Sequence, residues 1–581
     1  MKILLTLLKS PLAWLALIVV LASLYQSVFS NDLQSVVRSD GRGYYAYLPA
    51  LLIHQDGSFS QVVETERHYN KEDQIYLYKD VYGETYNKYF PGMAVLQVPF
   101  FVTASVVSWV CGEPIDGYND IFMLLFLVGS IFYFILGLIL FSKVLGLLFP
   151  DVQQTPLRSL SLMVFASPLF YYAVCCPSLT HLYSFALLSG FLLLLLRIKL
   201  APTIANYALL GALLGLILLV RPTNILIVFI LPFLMGDYNS LKFFIKHLVK
   251  ERGKRFFISM IVFLAVSKLL LLSWKWQTSS WIVWSYSGEG FNFFSPKFFE
   301  TLVSYRIGLF LHTPILILSV VGLMLIWSKE KYKVISFLVY TLITTWVISA
   351  WWCWDYESVF GNRPFTEHLA ILFIPTIYLV EKYRRITWSL MLFFTLLGVF
   401  RMYQTVAEIT PVARYSSTSY WTSLFSFGEK EIGRWNFTKS CKPFGEEVKH
   451  TCVLAQDSSI LFTSKNEFGL SQTTLMPKPR TNERYYYTVT LKKRHELSCF
   501  DDVYLVIDAT CRDSKERSYR AVKLYNDRNE GDGEWSNELT FNGIIHDNNQ
   551  LFDQVKVYIW NKSRSEFQLK EVTYEIGIYK G

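Results

Sequence analysis

The residues best suited to chemistry come early in the chain. Asp40 stands shortly after the first apolar run, in Ser39-Asp40-Gly41-Arg42-Gly43-Tyr44-Tyr45. A carboxylate can take a proton, and a guanidinium two residues away can hold an anion. Placed at a membrane face and followed by aromatics, the pair suits chemistry on a lipid-linked substrate. An aspartate before glycine is also an ordinary turn signal. The elements around it must decide between the two readings.

Further polar groups stand at the ends of later apolar runs. They are Ser178, Thr180 and His181; Arg221; Glu289; Arg306 and His312; and Asp355, Glu357 and Arg363, alongside Trp281, Trp284, Trp351, Trp352 and Trp354. Ionisable groups at membrane depth are costly and tend to mark functional cavities. Each also has a plainer reading. Trp351 and Trp352 suit an aromatic belt, Arg221 can snorkel to the interface, and His181 can bond a neighbouring span. Arg306 and Arg363 are harder to dismiss, because both fall where positive charge is disfavoured.

The elements that must position these groups are membrane helices. The 581 residues are 52% hydrophobic and only 17% charged, against about a quarter charged in soluble domains. Apolar runs near 11–29, 121–143, 158–175, 182–199, 204–220, 222–236, 256–273, 308–327, 333–350, 366–381 and 386–403 predict about eleven spans of a polytopic helical protein. The N-terminus has the outline of a signal peptide but lacks a convincing Ala-x-Ala-like site before Asn31, so an uncleaved first helix is expected. The net charge of +9 is no nucleic-acid signal, since the basic residues cluster in short loops between spans.

Those loops orient the chain. With a cytoplasmic N-terminus, Arg197 and Lys199, the 242–255 cluster, Lys329 to Lys333, and Lys382 to Arg385 all fall inside, as the positive-inside rule requires. One further apolar segment, Met93–Val110, would reverse this if it crossed. It is therefore read as an interfacial or partly re-entrant helix bent by Pro99. Residues 31–120 become an outer loop with interfacial helices, and residues 31–90 carry six Lys/Arg against nine Asp/Glu. The membrane domain is placed at 1–403 and a linker at 404–429.

Residues 430–581 have no spanning run. Alternating stretches such as Tyr485–Leu491, Val503–Ile507 and Val555–Ile559, separated by Asn/Asp/Gly-rich turns, predict an all-β sandwich outside the cytoplasm. Cys441, Cys452, Cys499 and Cys511 lie in this tail and permit two disulfides, preferentially 441–452 and 499–511, or remain thiols. Cys175 and Cys176 are expected to be packing residues. No metal-ligand spacing, phosphate-binding glycine loop or nucleophile elbow occurs in the sequence. The inner loops are too short for a cytosolic nucleotide-sugar enzyme, so any donor is reached from the membrane or the outer face.

Taken together, Asp40, Lys88-Tyr89-Phe90-Pro91-Gly92, Ser167-Pro168-Leu169-Phe170-Tyr171-Tyr172, Pro177-Ser178-Leu179-Thr180-His181, Leu219-Val220-Arg221-Pro222-Thr223-Asn224 and Gly361-Asn362-Arg363-Pro364-Phe365 resemble the GT-C membrane glycosyltransferases. The nearest branch is the bacterial set similar to dolichyl-phosphate-mannose protein mannosyltransferases and lipid A aminoarabinose transferases. The resemblance covers residues 1–400. It implies a polyprenyl-phosphate sugar donor, inverting transfer to a glycan, lipid or protein acceptor outside the bacterial inner membrane, and Asp40 as general base. Many relatives carry a second acidic residue where this chain has Gly41, which leaves a divalent metal unsupported; no cofactor is expected. Arg363, Arg306 and Arg42 are the expected donor-phosphate ligands. Tyr44, Tyr45, His181, Arg221, Glu289, Asp355 and Glu357 are the expected cavity residues. The competing readings are an envelope-polysaccharide ligase or polymerase using a polyprenyl-pyrophosphate donor, and a lipid or sugar transporter.

Overall fold

The computed structural model describes residues 11–30, 33–69, 76–79, 84–151, 155–246, 253–286, 289–407, 409–410 and 417–428, and in the C-terminal region 450–455, 460–463, 465, 467–475, 483–494, 503–510, 517–523, 539–545, 554–562, 564 and 566–580. The chain divides into two compact units. One is Met1–Asn70 with Ile75–Thr405 and Val412–Arg414; the other is Lys71–Gln74 with Val406–Pro411 and Tyr415–Gly581.

The first unit is helical. Among the described residues, six helices are long and apolar enough to cross a membrane: Gly92–Cys111, Asp120–Leu148, His181–Leu200, Gly253–Thr278, Lys331–Ser349 and Arg384–Val406. The last five coincide with runs expected to span. The first is the segment expected to be interfacial or partly re-entrant; it forms one helix, Gly92–Cys111, with Pro99 inside it. Pro99 removes one helical hydrogen bond, and the helix continues past it. The helix lays Leu96, Gln97, Phe101, Ala104 and Ser108 on its buried side. Tyr133 Oη of Asp120–Leu148 donates to Leu96 O at 2.8 Å, and Gln97 Nε2 donates to Phe126 O at 3.1 Å.

Prolines break several of the other expected spans. Leu157–Phe165 and Pro168–Cys175 meet at 68°, and Pro222–Met235 and Tyr238–Lys246 at 119°. The run 308–327 becomes Leu309–His312, Pro314–Leu316 and Ile317–Ile326; the run 366–381 becomes Arg363–His368, Leu369–Leu372 and Ile374–Lys382. Pro168, Pro222, Pro314, Pro364 and Pro375 each stand in the first turn of a piece, where the fixed φ suits a first turn and the missing N–H costs nothing, whereas the 119° bend falls at Gly236, at φ 93°. Among the described residues, six helices, or up to eight with each bent pair taken as one span, are thus long and apolar enough to cross.

Basic residues from separate loops gather at one end of this helical unit. There Lys199 donates to the Met235 carbonyl and Arg255 to the Pro202 carbonyl, while the Lys333 stem lies beside Gly236. Three basic loops that are distant in sequence thus gather together. The opposite ends of the same helices carry His181, Arg221 and Trp351.

The second unit carries two antiparallel sheets. Its strands are β3 His450–Ala455, β4 Ile460–Phe462, β5 Phe468–Leu475, β6 Glu483–Arg494, β7 Val503–Thr510, β8 Arg517–Lys523, β9 Leu539–Ile545, β10 Gln554–Asn561 and β11 Phe567–Lys580, which follow the short hairpin β1 Leu77–Lys79 and β2 Thr85–Asn87. One sheet runs β5-β10-β7-β8; the other runs β3-β11-β6-β9, with β4 also on β11. Alternation turns Val503, Leu505, Ile507, Val555, Val557 and Ile559 of the first sheet onto Phe462, Val489, Leu491, Phe567, Leu569 and Tyr574 of the second, in one apolar core. Cys441, Cys499 and Cys511 lie outside the described residues, and with them both expected disulfides.

Candidate active site

Asp40 opens the helix Asp40–Pro49, where the helix dipole favours a carboxylate. The helix starts from Ser39 at φ 52°, a left-handed conformation that non-glycine residues rarely adopt. Four side-chain groups fix it in place. Arg42 Nε lies 2.6 Å from Glu66 Oε1, with both side chains at most 2% exposed, and Tyr76 Oη donates to Glu66 Oε2 at 2.6 Å. Asn87 Nδ2 donates to Gly43 O at 2.7 Å. Gly41 faces Ser178 so closely that an added Cβ would stand 2.2 Å from its Oγ. A side chain at position 41 would force Ser178 to move.

Helical geometry then sorts the early candidates. Tyr44 is four residues from Asp40 and shares its face; both line a cavity of about 460 Å³. Arg42 and Tyr45 point elsewhere. Arg42 is spent on Glu66, and the Tyr45 ring packs on Phe101, Tyr118 and Phe126 with its hydroxyl on the Gly117 carbonyl. Two of the residues expected at the site are thus corrected to scaffold. Arg306 and Asp355 are corrected in the same way: they pair with each other, Arg306 over the Trp354 ring, and neither lines the cavity.

The cavity does bring together Asp40, Tyr44, His181, Arg221, Glu289, Glu357 and Arg363. Arg363, far away in sequence, donates from NH2 to Asp40 Oδ2 at 2.9 Å; Tyr89 Oη donates to Asp40 Oδ1 at 2.7 Å. Both side chains of the ion pair are about one-fifth exposed, at 20% and 21%. Burial by itself pushes the Asp40 carboxyl up, but the Arg363 guanidinium, the Tyr89 hydroxyl and the Lys88 ammonium outweigh it and hold it below its ordinary value. Asp40 is therefore an anion with lone pairs to spare after its two hydrogen bonds.

Two further ion pairs share the walls. Lys88 Nζ lies 3.0 Å from Glu289 Oε1 and over the rings of Tyr89 and Tyr286. Arg221 NH1 lies 2.8 Å from Glu367 Oε1, and Asn224 Nδ2 donates to Glu367 Oε2 at 2.8 Å. His181 Nδ1 lies 3.7 Å from the same carboxylate. Aromatics complete the enclosure: Tyr286 meets Trp351 edge-on at 5.6 Å, and Tyr44 packs 4.6 Å from Tyr89. Tyr356 and Glu357, both on the wall, hold φ of 51° and 46°.

Sequence reasoning missed Lys88, Tyr89, Tyr286 and Glu367 as site residues. Glu367 falls in a run expected to span, and a buried carboxylate there is itself the signal that could have drawn attention to it. Cys175 and Cys176 are buried free thiols, and the latter accepts from Arg38. Among the described residues no group of three or more His, Cys, Asp or Glu side chains is placed to hold a metal ion. No protein-family model matches the chain, and no curated protein matches it significantly.

Proposed function

We propose that the chain is a membrane glycosyltransferase that moves a sugar from a polyprenyl-phosphate carrier to an acceptor hydroxyl, with inversion. The observation that carries this reading is the contact between Asp40 and Arg363 in an aromatic-walled cavity at the end of the helical unit away from its basic loops. A base and a phosphate-binding fork stand side by side, which sugar transfer from a phosphodiester requires.

In the reaction, the acceptor oxygen attacks the anomeric carbon and its proton passes to Asp40. The bond from that carbon to the phosphate oxygen breaks, and polyprenyl phosphate leaves with the electron pair. The transition state resembles an oxocarbenium ion, so the proton leaves late and a modest carboxylate base suffices. Arg363 uses one N–H on Asp40 and retains others for the phosphate, whose charge grows as the bond breaks. Lys88 and Arg221 are the further cations of the wall. The aromatic rings suit the apolar faces of a sugar and the first isoprene units.

The wall's charges favour a monophosphate donor over a pyrophosphate one. Lys88, Arg221 and Arg363 are opposed by Asp40, Glu289 and Glu357 on the same wall, so no net positive surplus awaits a second phosphate. The full picture adds a GT-C-like arrangement of about eleven membrane segments, a C-terminal β-sandwich, and residence in the bacterial cytoplasmic membrane. The N-terminus is inside and the sandwich in the periplasm. The gathering of the basic loops at one end of the helical unit supports that orientation. So does the Gly92–Cys111 helix, whose flanking residues Tyr89 and Gly117 both contact the single helix Asp40–Pro49.

The test is release of free polyprenyl phosphate by the purified chain, given a panel of polyprenyl-phosphate and polyprenyl-pyrophosphate sugars. Turnover confined to the pyrophosphate donors would replace this reading with the ligase. Labelling of the C-terminal unit from the cytoplasmic side would overturn the orientation.

A further inference from the structure

The sheet β5-β10-β7-β8 of the second unit keeps its core on one face and carries a row of rings on the other. Trp560 on β10 stands directly opposite Phe468 on β5 and directly opposite Tyr504 on β7. The Phe468 and Trp560 rings lie 6.2 Å apart with planes 7° from parallel, and Tyr504 lies 5.7 Å from Trp560. Tyr558, two residues along β10, extends the cluster 6.0 Å from Phe468. None of these rings belongs to the apolar core, and Phe468 is 56% exposed.

Cations frame the rings. Lys562 Nζ stands 5.9 Å from the centre of the Trp560 ring and Lys556 Nζ 5.3 Å from that of Tyr558. Beyond Tyr558 the face turns polar, with exposed Thr473 and Lys556 opposite one another, while Asp508, opposite Lys556 on β7, is 8% exposed. A row across three strands is roughly 10 Å long, two interstrand spacings, which is about the length of a disaccharide. Pyranose rings present flat C–H faces that pack on aromatic rings, and their hydroxyls need polar neighbours. Lysines beside the rings match carboxylate, sulfate or phosphate substituents.

We propose that this face is a binding site for an acidic oligosaccharide, with Phe468, Trp560 and Tyr504 as the stacking platform and Lys556 and Lys562 as the anion partners. None of these residues lines the cavity of the first unit.

The experiment titrates the full-length chain, in nanodiscs of neutral lipid, with polygalacturonate and chondroitin sulfate oligosaccharides. Maltohexaose serves as neutral probe and phosphatidylglycerol vesicles as membrane probe. Wild type is expected to bind acidic oligosaccharides more tightly than maltohexaose and with affinity that falls as salt rises. Phe468→Ala, an exposed position, should weaken that binding roughly three- to tenfold with unchanged thermal stability. Lys556→Ala with Lys562→Ala should flatten the salt dependence, and Asp40→Asn should bind as wild type. Three results overturn the proposal: neither acidic probe binds, Phe468→Ala binds them as wild type does, or Phe468→Ala loses vesicle binding alone.

Discussion

Replacing Tyr89 with phenylalanine isolates one of the two hydrogen bonds on the candidate base. The ring stays, and with it the packing on Tyr44 and the contact with Lys88; only the donor to Asp40 Oδ1, at 2.7 Å, is lost. A hydrogen bond to a charged group is worth about 1.5–3 kcal/mol, a factor of roughly ten to a hundred in the proton affinity of the carboxylate. The sign follows from the direction of the shift. Asp40 is held below its ordinary value, so it is ionised and competent at neutral pH, and activity is lost as pH falls through its depressed titration. Removing the Tyr89 hydroxyl raises proton affinity, so the acid limb of kcat/KM against pH should move toward neutrality while the rate near pH 7 changes far less. Arg363 is the stronger of these two influences on Asp40, so Arg363→Gln should move the limb further and also depress the plateau. An acid limb that Tyr89→Phe leaves in place would refute the idea that Tyr89 tunes the base.

Other outcomes can be checked alongside. Arg363→Lys keeps the charge but loses the planar fork, and turnover should fall by about 10²–10³, as when one donor to a developing oxyanion is removed. Glu66→Ala leaves Arg42 buried without its partner, and a thermal or chemical melt should show a loss of about 3–5 kcal/mol. Gly41→Ala drives a Cβ into Ser178, an overpacking cost of about 1–3 kcal/mol. Because Asp40 is its neighbour, turnover should fall more than stability does.

Which parts of this site could be read in advance follows from the physics of each residue. Arg363 was visible because an arginine on the acidic side of a membrane protein defies the charge rule. Asp40 was visible from its place after the first apolar run. Arg42 and Arg306 carried the same charge signal, but their partners Glu66 and Asp355 are matters of tertiary contact that spacing does not encode. Tyr45 was grouped with Tyr44 although a helix starting at Asp40 already separates their faces. Glu367 hid inside a run expected to span, because hydropathy averages away one carboxylate. The β-strands were legible from alternation. Pro99 stands inside the helix Gly92–Cys111 without ending it, so a proline in an apolar run does not by itself mark where a segment stops. The breaks at Pro314 and Pro375 were equally available in the sequence, but an apolar window passes over them.

The most direct measurement is single-turnover transfer by Asp40→Asn against wild type, on whichever polyprenyl-phosphate sugar wild type accepts. Asparagine preserves size and can still face Tyr89 and Arg363, but it cannot take the proton. The account predicts a drop of about 10²–10⁴ in the transfer step, with donor binding retained. Equal rates in the two proteins would contradict it.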